Sequence, residues 1–475
     1  VTLARQMTWG IKMVCLLALA VFASAEDGAV KLELTPEQAD GFLSVEQRRL
    51  LGDWLAHPDQ AWPGDDSWPA LTNADDVARA RAELWSMLRE FRRKDPTAEE
   101  LGPLPPTLAE VVAQAKDGKG GLEPGVLSLG EHRMPFVVLR KETEPVPEQG
   151  RALYFCMHGG GQNNKAEGPH SWAVNSREWQ SQAGLAAQVY EGEGLFFIPR
   201  MADDRLGRWW HAHVQDAIDM VVEHGIREWN VDPNRVYLMG VSEGCYGTQI
   251  LGPFMADRFG GANAMAGGVG KDVPAENLRN LAFRTDVGEN DTTFNRVGLA
   301  KEFHQRMDEF KKLYGGYEHE VNVQVGKGHG IDYRPGSEWM IAHRREARPD
   351  TVVWTSRNLG GNRRSAFYWL GLSDAGIEGR IPMAARLNKD ANRVDLKWPA
   401  AETEADLDEV AVRVLLDDQM LDLGKPVKIA VNGEPAFSGI PERKLETLAR
   451  TLVERGDPTM AFPVEIVVEP SSPEQ

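Results

Sequence analysis

Arg235-Val236-Tyr237-Leu238-Met239-Gly240-Val241-Ser242-Glu243-Gly244 is the stretch on which the reading of this chain turns. Residues 235–239 have the composition of a buried strand, and a helical pattern follows Gly244. Between them lies G-x-S-x-G, the pattern of a nucleophile elbow. A serine nucleophile must project from a tight strand-to-helix turn where bulky neighbours would clash, and Gly240 and Gly244 remove those neighbours. The helix that follows directs N–H groups and the positive end of its dipole toward a developing oxyanion. Alone the pattern is weak; its place between strand and helix gives it weight. The bland alternative is an ordinary serine in a βα turn.

Working outward, short apolar runs at 136–139, 152–157, 194–198, 235–239, 281–283 and 321–325 read as buried strands. Helical patterns such as 214–229 lie between them. Alternating β and α elements predict a doubly wound, mostly parallel sheet covered on both faces, with right-handed crossovers. Before about residue 120 the chain reads as helical, with apolar residues at helical spacing over 46–55 and 75–91 and a Pro-rich interruption at 101–106. Beyond Pro349 the texture becomes β-rich, with runs at 352–354, 366–370, 410–416, 427–431 and 464–468. Asn432-Gly433 is a hairpin-turn signal, and one helix is expected over 444–454. The expected organisation is therefore an export signal at 1–25, a helical segment at 26–120, an α/β catalytic domain at 121–348 and a small β-rich domain at 349–475.

Length and composition agree with that plan. The chain has 475 residues, and a prior of roughly 150 residues per domain suggests about three folded units. The hydrophobic share of 42% allows a sizeable core. The formal net charge of -18 is spread along the chain, which argues against nucleic acid and anionic membrane surfaces as partners. Arg5 and Lys12, the apolar run 13–22 and Ala23-Ser24-Ala25 read as a secretory signal, placing the protein outside the cytoplasm, secreted or periplasmic. No integral membrane span is expected after its removal. Cys156 and Cys245 would then be the remaining cysteines, and their default reading is two small buried residues.

A second signal is His158-Gly159-Gly160-Gly161, directly after the run ending at Met157. Glycines there let backbone N–H groups approach a substrate oxygen, and the expected donors are Glu243 N–H and that of Gly159 or Gly160. His158 is read as bracing this loop. A base and an acid must follow the serine in the chain. Four histidines do: His304, His319, His329 and His343. His329, in Gly328-His329-Gly330 beyond a strand, is preferred, because loops at strand C-terminal ends carry such groups. For the acid, Asp291 is preferred over Asp286 and Glu289, all just after the run 281–283. Its role is to orient the imidazole and stabilise its charged form. Trp209, Trp210 and Tyr333 are candidates to line a substrate pocket. His211 and His213 alternate as metal ligands sometimes do, but no third ligand is evident, and neither metal nor cofactor is expected.

The core resembles the α/β-hydrolase superfamily, and more narrowly its secreted polyhydroxybutyrate-depolymerase, feruloyl-esterase and dienelactone-hydrolase-like branch. The resemblance rests on His158 to Gly161, Asn175 with Trp179, Asp232-Pro233-Asn234-Arg235-Val236-Tyr237, and Gly240 to Gly244, and it covers about 121–348. It implies that the strands leading to the glycine loop and the elbow are neighbours, which would bring Cys156 and Cys245 close. It also implies hydrolysis of a small or polymeric carboxylic ester, on an acylated carbohydrate or a phenolic, through an acyl-enzyme. One departure stands out: Glu243 follows the serine where this branch often carries a neutral residue. A serine peptidase of the same fold, or an inert core with a glycan-binding β domain, are the alternatives.

Overall fold

The runs of most continuous apolar character form the centre of one sheet, as burial on both faces requires. Its eight strands are β1 (Gly125–Leu129), β2 (His132–Lys141), β3 (Arg151–Met157), β4 (Gly194–Pro199), β5 (Val231–Val241), β6 (Gly261–Met265), β7 (Ala282–Gly288) and β8 (His319–Gln324). The computed structural model describes residues 41–64, 68–116, 122–142, 145–270, 272–373, 378–403, 405, 407 and 410–469. The export signal expected at 1–25 lies outside the described residues. Strand order is β1-β2-β4-β3-β5-β6-β7-β8. β1, β2 and β4 pair antiparallel, and β4, β3 and β5 to β8 run parallel. This is the doubly wound, mostly parallel sheet that the α/β-hydrolase resemblance implied.

Successive residues of the central strands point to opposite faces. Tyr154, Phe196 and Tyr237 pack with α5 (Ala173–Gln188) and α9 (Arg334–Ile341). Their neighbours Phe155, Phe197 and Leu238 pack with α6 (Ala212–Glu228), α7 (Glu243–Phe254) and α8 (Arg296–Tyr314). Each such side chain, fully buried, contributes about 1.5–3 kcal/mol. The same alternation separates the cysteines. Cys156 belongs to the first face and Cys245 to the second, so both are free thiols despite lying on adjacent elements.

The N-terminal segment is helical: α1 (Val45–Ala56), α2 (Ala74–Phe91), α3 (Pro96–Leu101) and α4 (Leu108–Lys116). Ser44 and Gln47 form a reciprocal capping box on α1, and Asn73 caps α2. Beyond α9 lie two small sheets. One contains β10 (Ala366–Phe367), β11 (Leu370–Leu372), β14 (Val412–Leu416) and β17 (Val464–Val468). The other contains β9 (Thr351–Ser356), β12 (Ile381–Asn388), β13 (Arg393–Lys397), β15 (Val427–Val431) and β16 (Glu434–Gly439). β15 and β16 form the hairpin expected at Asn432-Gly433, both in the left-handed region. β12 escapes a reading by pattern because Pro382, Ala384 and Ala385 carry no strand signature. The run 366–370 is not one strand. Phe367, Tyr368 and Trp369 are all fully buried, and the chain turns at Tyr368, whose φ is 52°.

The described residues from Phe42 onward form one compact unit. Leu238 and Phe283 of the large sheet share an apolar cluster with Trp354, Phe367 and Trp369. Leu448 and Leu452 of α10 (Leu445–Arg455) pack with Leu51, Leu84 and Leu88 of α1 and α2. The boundaries read at 120 and 348 therefore mark changes of element type, not breaks in the core. Among the described residues, no helix is long and apolar enough to cross a membrane.

Arg345 ties the parts together. Its Nε donates to Asn234 Oδ1 at 3.0 Å, its Nη1 to Asp257 O at 2.9 Å and its Nη2 to Asp457 at 2.6 Å. Arg345 and Asp457 side chains are each 1% exposed. Burial would raise the Asp457 carboxyl, but Arg345 and Thr459 outweigh it and hold it below its ordinary value. Replacing Asp457 by Ala strands a buried guanidinium and is expected to cost about 3–5 kcal/mol, read from the midpoint of a single urea transition. Because the carboxyl is depressed in the folded state, its contribution in the wild type is complete above the ordinary carboxylate range. It is lost as pH falls below that range.

Candidate active site

β5 ends in a turn that few residues tolerate. Ser242 has φ 56° and ψ −108°, outside the ordinary wells for an L-residue. A Cβ on Gly244 would stand 2.2 Å from Met157 O, and one on Gly240 would stand 2.2 Å from Gly244 O. Only glycine lets β5, α7 and the end of β3 approach this closely. Ser242 N–H donates to Met265 O at 2.8 Å, fastening the elbow to the end of β6.

The loops after β7 and β8 are joined beyond the strands themselves. Glu289 N–H donates to Gln324 O at 3.0 Å and Asn290 N–H to Lys327 O at 2.8 Å. Glu289 Oε2 accepts from Gly326 N–H at 2.9 Å. This lattice sets Asp291 against His329, whose Nδ1 lies 2.7 Å from Asp291 Oδ2. His329 Nε2 lies 3.0 Å from Ser242 Oγ. The three side chains preferred from sequence thus form one continuous hydrogen-bonded line. Asp291 is buried, while the imidazole is 46% exposed, so the line opens to solvent at its base.

The rejected acids have other partners. Asp286 is fully buried and accepts from Asn263, Arg284 and Asn322. Glu289 braces the turn after β8, as above. His304 pairs with Thr285 and His319 and is pushed down to about 3, chiefly by burial.

His158 braces the glycine loop. Met201 N–H donates to its Nε2 at 3.0 Å, which leaves the proton on Nδ1 to be given to Gly159 O at 2.5 Å. Burial pushes its pKa down to about 3, so the ring is neutral. Asn175 holds the other side, accepting from Gly161 N–H and donating to Gly161 O, both at 3.0 Å. Asn175 also donates to Asp204, which Arg200 grips with both nitrogens at 2.7 and 2.9 Å. Gly160 has φ 99°, and a Cβ there would fall 2.1 Å from Asn175 Oδ1.

Trp209 does not line a pocket. It is fully buried beneath α7, and its Nε1 donates to His158 O at 3.0 Å. Its apolar ring fills the space that Gly247 opens, so it supports the glycine loop from behind. Trp210 is half-buried beside Arg208. Tyr333 is half-buried and packs against the apolar face that carries Tyr154 and Tyr237.

Glu243 is 5% exposed, and its two oxygens each lie 2.9 Å from Arg208 Nη1. Burial raises its pKa, and Arg208 opposes that. Arg208 has φ 66°, a costly conformation that aims the side chain at Glu243. Sequence reading missed this arginine's role, as it missed Arg296, whose Nη1 donates to Asp291 Oδ1 at 2.9 Å. Neither sits at a spacing that signals a partner. His211 and His213 stack with ring centroids 5.6 Å apart. Among the described residues, no three His, Cys, Asp or Glu side chains are arranged to hold a metal ion.

No protein-family model matches the chain, and no curated protein matches it. Solved structures are similar over part of its length. A thermostable esterase is 17% identical, with the match covering 47% of this chain, 63% of that one and a TM-score of 0.34. The chain therefore spans less than two thirds of that esterase. A carboxylesterase from Mesorhizobium loti is 16% identical, over 45% of this chain and 95% of that one, with a TM-score of 0.33. A poly(3-hydroxybutyrate) depolymerase from Bordetella parapertussis is 14% identical, over 51% and 96%, with a TM-score of 0.35.

Two outcomes are expected. In a double-mutant cycle, Arg208→Ala and Glu243→Gln should show a coupling of about 0.5–3 kcal/mol in urea unfolding, because Arg208→Ala alone leaves a buried carboxylate unpaired. Gly160→Ala should displace the loop from Asn175, which a lost Asn175 side-chain amide environment in NMR spectra would report.

Proposed function

We propose that this protein is an exported serine hydrolase that cleaves carboxylic esters, with Ser242 as nucleophile, His329 as base and Asp291 as acid. The observation that carries the reading is the unbroken line from Ser242 Oγ through His329 to Asp291, at 3.0 and 2.7 Å, on a strained elbow at a parallel strand's end. His329 takes the serine proton as Oγ attacks the ester carbonyl. Asp291 holds the imidazole in the tautomer that leaves Nε2 free to accept.

The tetrahedral oxyanion is received by backbone N–H groups. Glu243 N–H, in the first turn of α7, has no intrahelical partner. In a trans peptide the N–H is antiparallel to the C=O. The Gly159 carbonyl is held by His158, so the Gly160 N–H faces the opposite way and serves as second donor in preference to Gly159. The alcohol leaves with the proton from His329, an acyl-enzyme remains, and water activated by His329 releases the acid. Glu178 Oε2 lies within 3.1 Å of where a Gly159 Cβ would stand, which disfavours an anionic acyl group beside the loop. Neutral acyl groups suit the site better, and the carbohydrate or phenolic alcohol is carried by the sequence resemblance alone. Export rests on the signal-like residues 1–25.

The deciding experiment is labelling of purified protein with a fluorophosphonate probe, with short p-nitrophenyl esters as substrates. Labelling should vanish in Ser242→Ala and His329→Ala. In Ser242→Ala, kcat should fall by about ten-thousandfold or more. A well-folded wild type that neither labels nor hydrolyses esters would overturn the reading.

A further inference from the structure

Asp291 has two carboxylate oxygens, and His329 uses one. Oδ2 lies 2.7 Å from His329 Nδ1, and Oδ1 accepts from Arg296 Nη1 at 2.9 Å. Arg296 Nε in turn donates to the Tyr246 hydroxyl at 3.0 Å. Tyr246 stands on α7, one turn beyond Ser242, so the nucleophile's own helix closes the circuit behind the acid. The Asp291 and Arg296 side chains are 2% and 12% exposed, so water screens their attraction weakly. The chain accepts a cost to place this arginine. Phe294 and Asn295, both with φ 56° and neither a glycine, lead into α8. The Phe294 ring then lies with the guanidinium carbon 5.2 Å from its centroid.

A carboxylate shared with a guanidinium presents less of its charge to an imidazole. The second anchor also removes a rotation that a single hydrogen bond would permit. We infer that Arg296 is a positioning residue of this relay: it pins Asp291 by the oxygen that His329 leaves free, and it keeps the imidazole able to accept a proton at lower pH than Asp291 alone would allow. The inference rests on the Ser242–His329–Asp291 reading above and adds the tuning of its base.

The other charged and titratable groups around this pair do not substitute for Arg296. On α7, Glu243 is paired with Arg208, and the Cys245 thiol and Tyr246 hydroxyl are pushed up by burial and stay neutral. On β7, Asp286 is paired with Arg284. Across the mouth, burial likewise raises Tyr333, and Glu178 faces Arg177 at 3.5 Å. In the loop after β7, Glu289 is held by Gly326 of the loop after β8.

A merely structural arginine would change stability and leave the titration of His329 where it was. The test is an NMR titration of His329 in protein carrying 13C-labelled histidine, with the signal assigned by its loss in His329→Gln. The pH profile of kcat/KM on a short p-nitrophenyl ester is recorded beside it. In Arg296→Gln, the His329 midpoint and the acid limb of the profile should both move up by about one pH unit. Arg296→Lys, which restores the charge, should reverse most of that movement. An unmoved midpoint in Arg296→Gln overturns the inference, as does a shift that Arg296→Lys leaves in place. Should Arg296→Gln not fold, Tyr246→Phe decides. It keeps the charge and frees Nε, so a several-fold drop in kcat at unchanged KM is expected, and wild-type kcat overturns the inference. Absence of esterase activity in the wild type would sink the hydrolase reading instead, and the His329 titration would still settle the part of Arg296.

Discussion

The turn at Ser242 is the constraint on which the rest of the site depends. Its backbone is held in a costly conformation because β5, the start of α7 and the end of β3 meet there at near-contact distance. That closeness puts the glycine loop after β3 beside Ser242. It also leaves the first N–H groups of α7 without intrahelical partners beside Ser242. Asp291 and His329 follow β7 and β8, two and three places along the sheet from β5, and the two loops are hydrogen-bonded to one another before they reach these residues. The geometry of the line is therefore set by backbone, and the side chains inherit it.

Arginines recur around this site for one electrostatic reason. Carboxylates withdrawn from water need a counter-charge or enough hydrogen bonds, or they take up a proton. Asp204, Glu243, Asp286 and Asp291 each lie 5% exposed or less, and each meets a guanidinium: Arg200, Arg208, Arg284 and Arg296. Glu243, which stood out in sequence as a carboxylate directly after Ser242, is one member of this set. Its charge is spent on Arg208.

The flanking regions are part of the same body. The two small sheets and the N-terminal helices were legible as changes of texture, since helical spacing and short β runs are local patterns. Their attachment was not. The apolar cluster that joins Leu238 to Trp354 and Trp369 is built from residues more than a hundred positions apart, each of which reads simply as hydrophobic. β12 was hidden for a related reason: its pairing with β9 and β13, and not its own composition, makes it a strand.

The sequence by itself determined the α/β order of elements, the elbow at Ser242, the glycine loop after His158, and a preference for His329 and Asp291. It could do so because these features are written in short windows: a strand run, a turn that needs glycine, a polar residue just past a strand end. Only the tertiary structure decided that Trp209 supports the loop from behind, that Cys156 and Cys245 face opposite sides of the sheet, and that Arg208 and Arg296 stand against Glu243 and Asp291. Which face a side chain takes, and which charge it meets, depends on elements distant in the chain. No local pattern carries that information.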